Sequence, residues 1–414
     1  MSMKTFALSN PSPKIIAGLI GLMVIAGTLI ARGETVRVTI PYYSAATEPY
    51  FQKMAAEFKQ KNPDIDIKIE IVNWDNLLQK LTTDIAANAN ADISIIGTRW
   101  LVDFQKTEVV EPLDQYMDQG FQGRFIESLF NYAKVGGKVY GLPIAASARA
   151  LYYNKDLFTK AGLPNGPKTW SDVEEAAKKI KDAGSYGFGL QGKEIETDTY
   201  WYYALWSFGG EIVKDCKATF NSDAGVKALS EYKKLIDEGF TQPGVTSYSR
   251  EDVQNLFKQG RVGTVITAPF LINQLKSDAP NLQYGITAIP SDSGNLSMVV
   301  TDTIVMFKNS KVKKAAWKFL DYLFTPEPRI TFTKGEGFLP TTKSEGEDTY
   351  FTQNERLQVF VKLLSTGKFL PLVSGYDAMS DAVSRALQGV YLGKAQPVEA
   401  LKQAAQEADA AICK

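Results

Sequence analysis

The amino-acid sequence predicts an α/β protein of about two domains. The chain has 414 residues, of which 44% are hydrophobic, and this is enough for two cores of ordinary size. From Thr35 onward, short strand-like runs alternate with helical segments of about 10 to 15 residues, a pattern typical of mainly parallel sheets with crossover helices. No internal repeat or low-complexity tract is visible in the sequence.

The N-terminal part of this pattern predicts three strands separated by two helices. Apolar residues alternate in the second strand, and the third is a continuous apolar run. The first helix would place Phe51, Met54 and Phe58 on one face. The predicted elements are a strand over Thr35–Tyr43, a helix over Glu48–Asn62, a strand over Ile65–Val72, a helix over Asn76–Ala86 and a strand over Asp92–Gly97.

The segment from Gly137 to Trp170 predicts two further strands. A buried run over Val139–Ala146 is followed by a second extended run over Ala150–Tyr153, then by a turn, a short helix that ends at Gly162 and a Pro-containing loop. The next helix would begin with Ser171 as its N-cap, and Glu174 would close a capping box. Helices are predicted over Ser171–Ala183, Ser222–Glu238 with Gly239 as the C-cap, Arg250–Gln259, Val312–Phe324, Met379–Tyr391 and Pro397–Ile412.

The N-terminus has the features of a secretory signal. Lys4 and Lys14 precede an unbroken apolar stretch over Ile15–Ile30, which is shorter than the about 20 residues that span a bilayer and is followed by Ala31-Arg32-Gly33. We therefore expect residues 1–33 to be removed on export, and a retained anchor is the alternative. Because no cysteine lies beside the expected cleavage site, a lipoprotein anchor is not expected.

Composition excludes several classes of function. The 46 basic and 46 acidic residues give a net charge of zero, which does not suggest nucleic acid or an anionic membrane surface as a partner. Histidine is absent, and this removes Ser-His-Asp and Cys-His catalysis and imidazole metal sites. We expect no metal and no cofactor. Cys216 and Cys413 could form a long-range disulfide in an oxidising compartment or remain as two free surface thiols.

The segment from Gly137 to Trp170 also carries a resemblance. It reads GKVYGLPIAASARALYYNKDLFTKAGLPNGPKTW, and it resembles the string G-K-x-Y-G-x-P, Y-Y/W-N-K-D-L-F, G-L and P-x-T-W of the solute-binding proteins of carbohydrate ABC transporters, the group that includes maltose- and glycerol-phosphate-binding proteins. The resemblance runs nearly the whole length of the chain. Other matching segments, in the expected order, are Asn62-Pro63-Asp64, Ala91-Asp92-Ile93, Phe257 to Arg261, Ala315 to Leu320 and Gly337-Phe338-Leu339-Pro340.

This resemblance implies a fold of the periplasmic binding protein type II, with two interleaved α/β lobes joined by crossing hinge strands and a cleft between the lobes. It implies lobe one over 34–145 and 303–355, and lobe two over 146–302 and 356–414. The implied function is to capture a sugar, an oligosaccharide or a polyol derivative by hinge closure in the periplasm and to deliver it to the permease subunits of an ABC importer. The chain is expected to act as a monomer and not as an enzyme.

On lobe one, candidate ligand-binding residues lie at the carboxyl ends of the predicted strands. Ligands of open parallel sheets bind beyond these ends, and pockets favour domain interfaces. Tyr43 and Glu48 follow the first strand, Trp74 follows the second and Arg99 follows the third. Since a pyranose needs aromatic faces and planar polar groups, these residue types are suited to binding it.

On lobe two, the richest aromatic cluster is Tyr200 to Tyr203 with Trp206. Because these rings cannot all face one core from a helix, we expect one or two of them at the cleft. Tyr200 or Trp201 is the expected ligand contact, and Trp206 is expected in the core.

The remaining candidates lie at the implied crossings and in matching loops. Arg149 lies at the first crossing, and Thr301 and Asp302 lie at the second, where a carboxylate could accept two sugar hydroxyls. Phe270 stands where many relatives have a stacking tryptophan, and a maltodextrin-type tryptophan near Met379 is also missing. These departures weaken any assignment to maltodextrins. The other two candidates are Phe338 and Tyr376.

Two alternatives stay open at the level of sequence. Arg99 and Arg149 could bind a phosphorylated or sulfonated solute, and the aromatic cluster with Asp302 could hold a cation. A secreted glycosidase would need two carboxylates facing each other across the ligand, and Asp302 with Glu48 is the best available pair.

Overall fold

The structure, a computed structural model, describes residues 33–193, 196–291, 296–364 and 366–414. The expected signal segment, apart from Gly33, lies outside the described residues. No helix within these ranges is long and apolar enough to cross a membrane.

The described chain alternates strands with helices, as the sequence predicts. The strands are β1 (Glu34–Tyr42), β2 (Ile65–Asn73), β3 (Ile93–Gly97), β4 (Lys134–Val135), β5 (Lys138–Val139), β6 (Leu142–Ala148), β7 (Ala150–Asn154), β8 (Val213–Lys214), β9 (Lys217–Ala218), β10 (Thr264–Thr267), β11 (Tyr284–Thr287), β12 (Met298–Met306) and β13 (Lys368–Phe369). Short 3-10 turns cover Thr98–Trp100, Asp114–Tyr116 and Val245–Ser247.

The helices pack on both sides of these strands. They are α1 (Thr47–Lys61), α2 (Trp74–Ala86), α3 (Leu101–Lys106), α4 (Gln119–Gln122), α5 (Glu127–Tyr132), α6 (Lys155–Lys160), α7 (Trp170–Asp182), α8 (Thr197–Ser207), α9 (Asp223–Asp237), α10 (Arg250–Lys258), α11 (Phe270–Asp278), α12 (Lys313–Leu323), α13 (Pro326–Glu336), α14 (Lys343–Gly346), α15 (Thr349–Thr352), α16 (Glu355–Leu363), α17 (Tyr376–Tyr391) and α18 (Pro397–Ala411).

The capping box of α7 differs from the prediction. The helix begins at Trp170 rather than at Ser171, and the cap therefore lies further upstream. Thr169 Oγ1 accepts a hydrogen bond from the Asp172 N–H at 3.1 Å, and the Asp172 carboxylate accepts one from the Thr169 N–H at 3.0 Å. The Glu174 carboxylate instead pairs with Lys234 on α9.

The larger sheet is mixed, with the strand order β13-β12-β3-β1-β2 and with β6 also paired to β12. β1 runs parallel to β2 and β3, as expected for strands joined by crossover helices. β12 runs antiparallel to both β3 and β6. The carboxyl ends of β1, β2 and β3 therefore lie at the same edge of this sheet, and Asp302 of β12 reaches that edge opposite Gly97.

The second sheet has the order β10-β7-β11, and β7 pairs antiparallel with both neighbours. The expectation of mainly parallel sheets is wrong for these strands. The alternation of strands and helices predicts the order of elements along the chain. It does not predict whether a strand of the second sheet runs parallel or antiparallel to its neighbours.

Separate cores hold the two sheets. One cluster packs β1, α1 and α12 around Phe51, Phe58 and Phe319. Another packs α8, α9 and α17 around Trp201, Tyr232 and Leu387. Every residue of α8 is buried, so this helix has no solvent-exposed face.

The structure pairs the two cysteines in a disulfide. Cys216 lies in the turn between β8 and β9, and Cys413 follows α18 near the C-terminus. Their Cα atoms are 5.8 Å apart although the residues are separated by 197 positions.

A β-bulge at the centre of the large sheet is supported by a buried ion pair. Asp302 pairs with Ala145, whereas Thr303 pairs with Pro143, and this leaves Ile144 as an extra residue in β6. The Ile144 carbonyl accepts a hydrogen bond from Arg329 Nη2 at 2.7 Å, and Arg329 Nη2 also donates to Glu345 Oε1 at 3.0 Å. Burial raises the pKa of Glu345, but Arg329 and nearby threonine hydroxyls hold it below its ordinary value.

Substituting Arg329 with methionine should therefore destabilise the protein strongly. The Arg329 side chain is 1% exposed and the Glu345 side chain 0%, and removal of the guanidinium leaves a buried carboxylate without a cation. Such a loss typically costs about 3–5 kcal/mol of unfolding free energy, which urea denaturation measures. The matched control is Arg124→Met, which breaks a partly exposed 2.8 Å pair with Asp321 and should cost less than about 1 kcal/mol. Equal losses in the two variants would contradict the prediction.

Candidate functional site

The strand ends at one edge of the large sheet bring predicted site residues together. Tyr43 follows β1, and its hydroxyl donates a hydrogen bond to Asp302 Oδ2 at 2.8 Å. Thr98 follows β3, and its hydroxyl accepts a hydrogen bond from Thr301 Oγ1 at 2.9 Å. Tyr43 and Asp302 therefore form one polar surface, although they are 259 positions apart in the sequence. Thr301 precedes Asp302 in β12, and successive side chains of a strand point to opposite faces of the sheet.

The loop that carries Tyr43 is fixed by a carboxylate that was not predicted. Thr47 Oγ1 accepts hydrogen bonds from the Tyr43 and Ser44 N–H groups, both at 3.0 Å. The Thr47 and Ser44 hydroxyls each donate to Glu336 at 2.7 Å. Glu336 is buried at the end of α13, and its position two residues before Phe338 in Gly-Glu-Gly-Phe was the only signal in the sequence.

Aromatic rings form a wall beside this polar surface. The Tyr43 ring stacks on Trp74 at a centroid distance of 6.0 Å and meets the edge of Phe338 at 4.9 Å. Trp74 in turn stacks on Trp100 at 5.5 Å. The structure therefore brings Tyr43, Trp74 and Phe338 into one aromatic group, and the buried Trp100 packs behind Trp74.

Arg99 faces residues of the C-terminal half of the chain. Its Nε lies 3.9 Å from Asp377 Oδ1, and its side chain is only 14% exposed. The Tyr376 hydroxyl, beside it, donates to Asp198 Oδ2 at 3.2 Å. Tyr376, Asp377, Glu196 and Asp198 all favour the charged form of Arg99, and together they raise its pKa against the opposing effect of burial.

Arg149 lies between the large sheet and α8. It is buried, and its Nη1 donates to Ser147 Oγ at 2.7 Å. Glu196, immediately before α8, accepts a hydrogen bond from Arg250 Nη1 at 2.9 Å. Burial raises the pKa of Glu196, but the guanidinium groups of Arg250, Arg149 and Arg99 outweigh burial and lower it. Of these arginines, Arg250 bonds the Glu196 carboxylate directly, and the other two act on it through their charge.

We call these ionisable groups the charged cluster. Its members are Arg99, Arg149, Glu196, Asp198, Arg250, Asp302 and Asp377. Burial raises the pKa of Asp302 to about 6, although the Tyr43 hydroxyl, Arg99 and Arg149 act in the opposite direction. Burial likewise raises the pKa of Asp198 to about 6. The cluster thus contains carboxylates whose ionisation is only partly compensated.

Two buried polar atoms in or beside the charged cluster form no hydrogen bond with the described residues. Arg99 Nε and the Tyr200 hydroxyl are buried without a hydrogen-bond partner among the described residues. Burial raises the pKa of the Tyr200 hydroxyl, and Tyr203 and Glu196 raise it further, whereas Arg250 and Arg149 act in the opposite direction. Since buried polar groups are normally hydrogen-bonded, these atoms are suited to a ligand that brings hydroxyl groups.

Three other predicted residues lie elsewhere or in a different role. Glu48 is exposed in the first turn of α1, and the structure gives it no contact with Asp302. Trp201 packs against Tyr202 and Phe220 inside the core, so the expectation of ring exposure at the cleft is not met by this residue. Phe270 begins α11, and its ring lies 5.4 Å from the Arg250 guanidinium.

Sequence reasoning missed Glu196, Asp198 and Arg250. Glu196 and Asp198 immediately precede the aromatic run of α8, and this adjacency was the available signal. No comparable signal marks Arg250 as a site residue in the sequence, because it begins an ordinary amphipathic helix with Ser249 as its N-cap. Among the described residues, no group of three or more acidic or cysteine side chains is arranged to hold a metal ion.

Comparisons with known proteins agree with this architecture. Residues 44–330 match the profile of the bacterial extracellular solute-binding proteins. A Brucella abortus (strain 2308) protein, named only as a binding protein, is 52% identical over 404 residues and covers 96% of this chain and 98% of its own length. The galactooligosaccharide-binding protein of Bacillus subtilis (strain 168) is 25% identical over 85% of this chain and 84% of its own.

A solved structure has the same fold. The ABC transporter solute-binding protein of Thermotoga lettingae TMO, bound with α-D-tagatose, superposes with a TM-score of 0.83. It is 25% identical, and the match covers 91% of this chain and 99% of that protein.

Replacing Asp302 with asparagine should stabilise the protein at neutral pH. The folded protein retains the Asp302 proton up to a pH of about 6, whereas the ordinary carboxyl loses it near 3.8, so stability from this group falls as the pH rises between these values. Asparagine cannot ionise and still accepts from Tyr43. Urea denaturation at pH 7.5 should show a gain on the order of 1–3 kcal/mol that shrinks near pH 4.

The control for this prediction is Asp64→Asn, at an exposed position in the turn before β2. It should leave the unfolding free energy unchanged at both pH values. Asp198 and Glu336 also have raised pKa values, so the comparison is between variant and wild type at each pH. If Asp302→Asn proved less stable than wild type at pH 7.5, the carboxylate would be a stabilising group and the prediction would be wrong.

Proposed function

This chain belongs to the family of bacterial extracellular solute-binding proteins, and from that premise we propose that it captures a sugar, an oligosaccharide or a polyol derivative for an ABC importer. The proposal rests mainly on one observation: the aromatic wall of Tyr43, Trp74 and Phe338 contacts the charged cluster, because Tyr43 donates a hydrogen bond to Asp302. A pyranose offers flat C–H patches to rings such as Tyr43 and Trp74, and its hydroxyls suit paired acceptors and donors such as Asp302 and Arg99.

The charge balance of the cluster favours an uncharged ligand. Three arginines face four carboxylates, and Glu336 adds a further carboxylate beside Tyr43. A phosphorylated or sulfonated solute would add negative charge where Asp302 and Asp198 already have raised pKa values. A ligand with many hydroxyls can instead donate to these carboxylates and accept from the arginines.

We consider a secreted glycosidase the less favoured alternative, because its two candidate carboxylates lie in different environments. Asp302 lies on β12 within the large sheet, whereas Glu48 is exposed on α1 and does not contact it. The family consists of binding proteins, and binding without turnover is the activity that we propose for this chain.

Capture proceeds in our proposal by closure of two lobes. The proposed lobes are 34–145 with 303–355, and 146–302 with 356–414, joined where β6 continues into β7 and along β12. Arg99 and Asp377 then belong to opposite lobes. A ligand that contacts both lobes only in the closed form shifts the population toward it.

Transport requires export and a membrane partner. We propose that residues 1–33 direct the chain to the periplasm and are removed there, and that the monomer delivers its ligand to permease subunits. The extracellular character of the family supports this location.

A thermal-shift panel tests the ligand class. The panel contains maltose, maltotriose, D-tagatose, a galactooligosaccharide, glycerol 3-phosphate and glycine betaine. We expect stabilisation by carbohydrates alone, amounting to about 2.7 kcal/mol at a ligand concentration 100 times Kd. Small-angle scattering should show compaction with the same compounds, and incubation should release no sugar product. Stabilisation by glycerol 3-phosphate or betaine alone would refute the carbohydrate proposal.

Removing the Tyr200 hydroxyl should change the affinity for ligand rather than the stability of the protein. Tyr200→Phe deletes a buried hydroxyl without a partner among the described residues and should weaken binding of the stabilising sugar about fivefold, since a typical neutral hydrogen bond contributes about 1 kcal/mol. Tyr391→Phe is the matched control, because its hydroxyl is also buried without a partner but only burial affects its pKa. Isothermal titration calorimetry should show unchanged affinity for the control. Equal affinities of both variants and wild type would place Tyr200 outside the site.

A further inference from the structure

The segment that supplies Tyr376 and Asp377 to the site is held from behind by the C-terminal tail. We define the site segment as Ser374–Asp377 and the tail as Ala411–Lys414. The Cys413 N–H donates a hydrogen bond to the Ser374 carbonyl at 3.0 Å, and Ser374 Oγ donates to the Lys414 carbonyl at 3.3 Å. The tail therefore fixes the backbone at the start of α17.

Gly375 makes the approach of the two segments unusually close. Its φ is +75°, a conformation that glycine adopts readily. A Cβ at this position would lie 2.4 Å from the Ala411 carbonyl oxygen, which is too close for any side chain. The site segment and the tail thus form one packed unit in which small movements of the tail are transmitted to Gly375.

The opposite side of the site segment faces the charged cluster. The Gly375 N–H points to the Asp103 carboxylate, with N···O distances of 3.2 and 3.3 Å. Tyr376 donates to Asp198, and Asp377 pairs with Arg99. The site segment is therefore placed between the tail and residues that we assign to lobe one and to the ligand site.

The disulfide holds the tail in a conformation that the chain does not favour by itself. Cys216 and Cys413 both have left-handed backbones, with φ of 58° and 57°, and Asp215 beside them has a φ of 49°. Non-glycine residues rarely adopt this conformation. Both cysteines are exposed, so reagents can reach the bond. The covalent link to the β8–β9 hairpin therefore maintains the contacts of Cys413 with Ser374.

We propose that the Cys216–Cys413 disulfide and the tail are a positioning element of the ligand site. The tail touches no ligand, but it sets the site segment so that Tyr376 and Asp377 meet Asp198 and Arg99. The effect on ligand affinity rests on the proposed function, whereas the effect on the site segment does not. In the reduced protein the site segment is looser and the closed form binds sugar less tightly.

Hydrogen–deuterium exchange of ligand-free protein tests the first step. The Cys216→Ser/Cys413→Ser variant should exchange the amides of Ser374–Asp377 about tenfold faster than wild type, with α9 unchanged. Folded wild type treated with a phosphine reductant, which takes up the oxygen of water and leaves two thiols, should behave in the same way. This second measurement covers the case in which the variant fails to fold. Unchanged exchange in folded, reduced wild type would overturn the proposal.

Affinity measurements test the second step with D-tagatose, maltose and a galactooligosaccharide as probes. The double variant should bind any of these that stabilises wild type about tenfold more weakly. The matched control is Arg385→Ala, which removes a 2.7 Å surface pair with Glu407 between α17 and α18 without touching the site segment, and it should retain wild-type affinity. Equal affinity of the double variant and wild type would overturn the positioning role. If wild type bound no probe, the carbohydrate proposal would fail, and the exchange experiment would still decide this one.

Discussion

The whole arrangement depends on the compensation of charge buried between the two halves of the chain. Arg250 bonds Glu196, and the charges of Arg149 and Arg99 also lower the pKa of Glu196, while burial raises the pKa values of Asp302 and Asp198. An isolated buried charge is too costly to persist, so each group constrains the position of the others. The cluster therefore constrains the structure, and the recognition role that we propose for it would use the polar atoms that it leaves without partners among the described residues.

Much of the fold could be predicted because its signals are local. The bounds of β1, α1, α9 and α18 agree with the sequence within a few residues, since alternation, apolar periodicity and capping act over short distances. The antiparallel second sheet could not be predicted in this way. The direction of β7 depends on β10 and β11, more than a hundred residues further along the chain, and no local pattern records such a pairing.

The same difference between local and long-range signals applies to the candidate site. The location of Tyr43, Trp74 and Arg99 just after β1, β2 and β3 could be predicted, because parallel strands place their carboxyl ends at a common edge, and their role in ligand binding stays a prediction. Trp201 illustrates the limit, since a helix that is apolar on every face gives no indication of which ring turns toward a ligand. Arg250 and Glu336 could not be identified as site residues, because each lies on an unremarkable helix, and their role comes from tertiary contacts with Glu196 and Thr47.

The bulge at Ile144 shapes the large sheet next to Asp302. A β-bulge bends its strand and increases the local twist, and here the extra residue lies beside Ala145, which pairs with Asp302. Arg329 on α13 donates a hydrogen bond to the Ile144 carbonyl and pairs with Glu345 on α14, so the bulge is connected to both helices. Because the same guanidinium also pairs with Glu345, the shape of β6 at the bulge and the packing of α13 against α14 depend on one buried side chain.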